Sequence, residues 1–151
     1  MKRLLTVAAL LLTTAICSAQ DRIDDLAKAI AKAEGCYIKG TIPNRYHNCG
    51  DLKLVKGWRY PGQVGVGKGG HVIFKNDKYG WEALRHQIEK IIAGDSKFYN
   101  VNLTIKQLGK KYATSSLWAK NVAHNLGATP TTELWELLGV PPMLEKNWSR
   151  E

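Results

Sequence analysis

The sequence predicts a mainly α-helical domain that carries one small β-hairpin, and three observations predict it. Apolar residues recur at helical spacing in five segments between residues 21 and 139. One Gly-rich stretch, PGQVGVGKGG from Pro61 to Gly70, separates two short runs rich in aromatic and β-branched residues. The 151 residues, 44% of them hydrophobic, suffice for one core, and they contain no internal repeat, low-complexity segment or second domain.

The elements follow in order. Asp21 is placed to cap a first helix whose apolar positions are Ile23, Leu26, Ala27 and Ile30. Trp58–Tyr60 and His71–Phe74 read as two strands around the Gly-rich turn. A second helix carries Trp81, Leu84, Ile88 and Ile91 on one stripe. Thr104 caps a third with Ile105, Leu108 and Tyr112, and Ser115 or Ser116 opens a fourth with Trp118, Val122 and Leu126 before Gly127. In TPTTELWELLG, Thr129 is the expected cap and Pro130 the first position of a last short helix. From Pro141 to Glu151 the chain reads as a surface tail.

Residues 1–19 have the pattern of a secretory signal peptide: Lys2 and Arg3, an apolar run from Leu4 to Leu12, and Ser18 and Ala19 at the exit. That run is too short for a membrane span. Ile16 before Cys17 argues against lipid attachment, which favours a small residue there. The expected product is a secreted or periplasmic domain over residues 20–140, with no stable membrane insertion. Removal of the leader leaves Cys36 and Cys49, an even pair in an oxidising compartment, and a disulfide between them is expected. A zinc site from Cys36, His47 and Cys49 would lack a fourth ligand and the short Cys-x-x-Cys spacing, so no metal or other cofactor is expected.

The formal charge of +9, less Lys2 and Arg3, is +7. An exported protein with that charge meets cell-wall polymers and anionic lipid surfaces first. Nucleic acid is not expected, because the lysines are dispersed and no basic run is interleaved with aromatics. Gly62, Gly67 and Lys68 approach a phosphate-binding loop, but Gly69 stands where a Ser or Thr is needed and a strand follows. Four histidines, His47, His71, His86 and His124, show no metalloprotease spacing and read as polar surface or core residues. Cys36 as a nucleophile paired with His71 would require a free thiol.

Glu34 breaks the pattern. It follows Ile30 by four positions and so projects from the apolar face of the first helix, at its end, with Gly35 suited to the turn that stops it. Desolvation and the negative end of the helix dipole both favour the neutral carboxyl there. A carboxylic acid that keeps its proton near neutral pH can serve as a general acid. The alternative is an edge residue that pairs with a cation such as Arg45.

The order of Glu34, Gly35, Arg45, Asn48, Gly50 and Asp51 resembles phage and bacterial lysozyme-like proteins, whose stretch reads Glu-Gly, then Arg-Asn-Asn-Asn-Pro-Gly-Asn. Cys49 stands where that pattern has Pro, and Asp51 where it has Asn. HVIFKNDKYGWEAL resembles the strand that ends in Phe and leads to Gly-x-x-Ala on a helix. KKYATSSLWAKNVAHNLG is similar to the Tyr-Ala-Thr-Asp and Tyr-Ala-x-Lys segment of flagellar-type and autolysin glucosaminidases, with Ser115 for Asp and Trp118 for Tyr. The resemblance spans residues 22–127. It implies a lysozyme-like α+β fold with a hairpin, and a groove that takes peptidoglycan or a related N-acetylated glycan.

On that resemblance Glu34 is the catalytic acid. Tyr112 lies near the reacting sugar or simply continues the apolar stripe. Arg45, Asn48 and Asp51 line the groove or brace the loop. The segment Trp58–Phe74 contains no acid, so a second carboxylate would come from Asp51 or Asp77. Otherwise Glu34 acts alone, as acid and then base, in a lytic transglycosylase. The expectation is a monomeric peptidoglycan glycosidase. A non-catalytic wall-binding protein on the same fold is the alternative, and an inhibitor or toxin-like effector with an acidic protein partner a second.

Overall fold

The structure is a computed structural model that describes residues 19–113 and 115–144. Residues 1–18 of the leader, Thr114 and residues 145–151 of the tail therefore lie outside the described residues. Helix α1 covers 19–33. Its buried face is the expected one, with Ile23, Leu26, Ala27 and Ile30 all at most 8% exposed. Asp21 lies inside this helix and does not cap it, because Ala19 and Gln20 are good helix formers already in helical conformation ahead of it. The end is a Schellman turn: Gly35 takes φ 75° and the Cys36 N–H bonds to the Ala31 carbonyl at 2.9 Å.

The chain then forms a short helix that the periodicity did not signal, α2 (Ile42–Arg45), opened by Thr41, whose hydroxyl accepts from the Asn44 N–H at 3.3 Å. A disulfide joins Cys36 to Cys49 across this excursion, with 4.9 Å between the Cα atoms.

Strands β1 (Gln63–Val66) and β2 (Val72–Phe74) form an antiparallel hairpin. The first strand is therefore within the Gly-rich segment and not at Trp58–Tyr60. The correction has a local cause. Gln63 closes a turn on Tyr60, side chain to backbone at 3.2 Å and backbone to backbone at 3.1 Å, so the chain reverses just where a strand was expected. Tyr60 instead turns inward and meets Phe74 edge-on, with ring centroids 5.8 Å apart. On its other edge the hairpin is extended by residues 52–54: the Val72 N–H bonds to the Leu52 carbonyl, Leu54 to Gly70, and Lys53 pairs with His71.

Helix α3 (Asp77–Ala93) is capped by Asn76 and stopped by Gly94. It forms the wall between two apolar clusters. Leu84, Ile88 and Ile91 join α1 and the later helices in the larger one, while Ala83 and Tyr79 close the smaller one formed by Leu52, Tyr60, Val72 and Phe74. Gly80 lets this helix touch the loop before the hairpin: a Cβ there would lie 1.8 Å from the His47 carbonyl oxygen.

Helix α4 (Ile105–Tyr112) has the expected Thr104 cap, reinforced as a capping box by Gln107. Helix α5 (Trp118–Asn125) begins with Ser115 accepting from the Leu117 N–H through its hydroxyl and from Trp118 through its carbonyl. The last helix, α6 (Leu134–Leu138), starts later than expected, and Thr129 and Pro130 are not its cap and first turn. The carbonyls of Pro130 and Thr132 accept from Lys106 and Ile105 at the start of α4, and Glu133 pairs with Thr104. Those bonds, with a turn closed by the Thr132 N–H on the Thr129 carbonyl at 3.0 Å, keep residues 129–133 out of the helix until Leu134 drops into the core. Among the described residues, no helix is long and apolar enough to cross a membrane.

Candidate active site

Glu34 leaves α1 in its last turn, with its N–H still bonded to the Ile30 carbonyl at 2.9 Å, so the side chain stays on the buried side of the helix. Burial is the largest influence on its carboxyl, pushing the pKa up to about 7, and the charge of Asp51 acts in the same direction. The opposing influence is one neutral donor, the Trp118 indole N–H, 2.6 Å from Oε1. A carboxyl so shifted can both hold and release a proton near neutral pH. Arg45 does not supply the cation considered for Glu34: it is exposed, and its guanidinium lies 5.8 Å from the Tyr46 ring.

Trp118 is itself held. Its ring, 3% exposed, stacks on Tyr112 with centroids 5.0 Å apart and planes 26° from parallel. The Tyr112 hydroxyl donates to the Gly50 carbonyl at 2.5 Å, and burial, then Glu34, drives its own pKa well above the ordinary phenol value. A continuous line of contacts therefore runs from the carboxyl of Glu34 through Trp118 and Tyr112 to the peptide that precedes Asp51.

The disulfide makes a second link between the same two segments. Cys36 is two residues after Glu34 and Cys49 two before Asp51. It also consumes both thiols, which removes the zinc set with His47 and the Cys36 nucleophile as alternatives. No known family, curated protein or solved structure matches the chain. The site is accordingly described by its own chemistry.

Asn48 is fully buried, and its side chain is committed to the loop. Its amide donates to the Leu52 and Val72 carbonyls at 2.9 Å each, and its oxygen accepts from the Leu52 N–H at 2.8 Å. These bonds fix the register of 52 against 72 and so the placement of Asp51 beside His71. Asp51 takes φ 49°, a left-handed conformation that Asp and Asn enter more readily than other non-glycine residues. Burial raises its pKa, while His71 and then Lys53 oppose that rise by their charge. His71 Nδ1 lies 2.8 Å from Asp51 Oδ1 and 3.2 Å from the Asp51 carbonyl oxygen, with its N–H directed to the carbonyl. Oδ1 is left buried without an aligned hydrogen bond.

Asp77, the other candidate second carboxylate, is exposed at the start of α3 and pairs with His47 at 2.6 Å. His86 lies 3.6 Å from Glu89. Three of the four histidines thus have carboxylate neighbours: the fold brings Asp77 to His47 and Asp51 to His71, while Glu89 lies one helical turn from His86. Two further residues escaped the sequence reading. Trp118 was read only as a core position, and spacing carries no trace of its bond to a residue 84 positions away. His71 was read as a strand residue, and its pairing with Lys53 beside Asp51 emerges only in the fold.

Proposed function

We propose that the chain is a lysozyme-like glycosidase that cleaves the glycan strands of peptidoglycan or a closely related N-acetylated polymer, with Glu34 as the general acid. One observation carries the reading: a carboxyl at the end of a core helix, held near a pKa of about 7 by burial beside a second carboxylate, Asp51. Glycosidic oxygens are poor leaving groups until protonated, and such an acid can both keep and release its proton near neutral pH. The order of Glu34, the 45–51 loop, the hairpin and the Tyr112 segment supports the lysozyme-like assignment through the resemblance given above.

In this reading Glu34 protonates the glycosidic oxygen. Trp118 holds the carboxyl in place and limits the rise of its pKa. Tyr112 acts through Gly50, orienting the Asp51 loop. Arg45, exposed beside that loop, is available to bind the glycan, while Asn48 braces the loop from within. The disulfide and the leader pattern support an exported, wall-facing location. The basic excess would keep the protein near anionic wall polymers, with an affinity that weakens as salt rises. The test is mass spectrometry of soluble fragments released from purified peptidoglycan by the mature protein and by Glu34→Gln. Fragments from the wild type alone support the reading. None from either, across pH and salt, sinks it and leaves a wall-binding or structural protein.

A further inference from the structure

The Asp51–His71 contact is more elaborate than a turn requires. A left-handed residue after Gly50 needs only a side chain that tolerates that conformation, and Asn would serve as well as Asp without a charge. Here a charge is present and half-buried: the Asp51 and His71 side chains are 25% and 14% exposed, with Nδ1 and Oδ1 2.8 Å apart. The carboxylate oxygen is left without an aligned donor, although a buried polar atom ordinarily has one. Asn48 locks the backbone on both sides of the pair, and Tyr112 locks Gly50, so Asp51 is held from its own loop, from β2 and from α4.

We infer that Asp51 and His71 form a carboxylate–imidazole pair that activates water opposite Glu34, so that the cleavage is a hydrolysis and not an attack by the sugar's own hydroxyl. The inference rests on the glycosidase reading and deepens it. Glu34 gives its proton to the glycosidic oxygen, and the bond from the anomeric carbon breaks with its electron pair going to that oxygen. A water oxygen bonds to the anomeric carbon while Asp51 takes one of its protons. The products are a reducing end and a free hydroxyl. Glu34 is left ionised and Asp51 protonated, and solvent carries one proton between them to reset the pair. His71 is a positioning residue: it touches Asp51, not the sugar, and its charge favours the ionised carboxylate.

The charged and titratable groups facing Asp51 are Glu34 from the end of α1, His71 and Lys53 from the hairpin ladder, and Tyr112 from α4. His71 and then Lys53 favour its ionised form, and the Asp51 charge in turn raises the pKa of Glu34 and of Tyr112. Loss of His71 therefore raises the Asp51 pKa, and the acid limb of the pH–rate profile moves to higher pH. The basic limb, governed by Glu34, moves little.

The experiment digests purified peptidoglycan with the wild type, Glu34→Gln, Asp51→Asn, His71→Ala and His71→Asn, and reads both fragment ends and pH profiles. Asn at position 51 suits the turn, and Asn at 71 keeps an N–H donor near Nδ1. Melting curves of the two variants establish that they fold. The pair predicts reducing ends from the wild type, a loss of about 100-fold or more in Asp51→Asn, and an acid limb moved upward in both His71 variants. A purely structural His71 would be rescued by Asn with the limb in place, which overturns its assigned role. Glu34-dependent fragments with anhydro ends, or undiminished cleavage by Asp51→Asn, overturn the pair and leave the glycosidase reading standing. No Glu34-dependent fragments at all overturn both.

Discussion

Glu34 and Asp51 are both carboxyls raised by burial, yet their surroundings differ in kind. Glu34 ends a core helix and meets a neutral indole. Asp51 sits in a strained turn at the base of the hairpin and meets an imidazole and an ammonium group. A neutral donor restrains the rise of the Glu34 pKa without abolishing it, whereas cations draw Asp51 toward the ionised form. The lesson is that desolvation alone does not assign a role to an acid. The charge of its partner does, and the two lobes supply partners of different charge. The disulfide and the Tyr112–Trp118 stack then hold the two environments together.

The contrast can be broken at several points. The largest effect is expected from Glu34→Gln, which removes the transferable proton and should lower kcat against peptidoglycan by about 100- to 10,000-fold with KM little changed, as measured by fragment release. Replacing both cysteines by serine should cost about 3 kcal/mol in the chain-entropy model for a loop of roughly 14 residues. Denaturant titration checks it, and an unchanged midpoint would show that the bridge contributes nothing.

Gly80→Ala should destabilise the fold by about 2 kcal/mol or more through the clash with the His47 carbonyl, although Ala is the better helix former by about 1 kcal/mol. A stabilised variant would rule out this close approach. The smallest effect sharpens the comparison most. Trp118→Phe keeps a stacked ring but removes the only neutral donor on Glu34 named above, so the basic limb of the pH profile should move upward, by about one pH unit or less. A downward move would mean that the indole does not favour the ionised acid.

Stability should follow the same logic. A carboxyl raised to about 7 in the folded state favours folding while both states are protonated, below its ordinary value of 4.5, and that contribution is lost as pH rises through about 7. Glu34→Gln should therefore melt at the wild-type temperature in acid and a few degrees higher above pH 7. Thermal melts across that range check the sign.

Much of the helical lobe was legible because burial and period coincide. Ile23, Leu26, Ala27 and Ile30, then Leu84, Ile88 and Ile91, lie on the stripes that their spacing marks. Thr104 and Gln107 announce their capping box locally. Legibility failed where distant backbone decides. Thr129 and Pro130 have the chemistry of a helix start, but their segment closes a turn whose Pro130 and Thr132 carbonyls are taken by the first N–H groups of α4. Tyr60 has strand propensity, but its ring belongs to the small core and its backbone to a turn. Thr41 and Pro43 have the cap and first-turn chemistry of α2, but the helix went unread because the stretch is too short for any period to emerge. At the site, the displaced acid Glu34 was visible as a break in pattern. Its partner Trp118 and the Asp51–His71 contact were not, since they join residues 84 and 20 positions apart.

The most direct test of the central claim is an NMR titration of the Glu34 side-chain carboxyl in 13C-labelled mature protein, with Glu34→Gln for assignment. The account predicts a midpoint near 7 that rises in Trp118→Phe, so that the acid holds its proton near neutral pH, as the proposed reaction requires. A midpoint at the ordinary 4.5, unmoved by loss of the indole, would contradict it and return Glu34 to the status of a charge at the end of a helix.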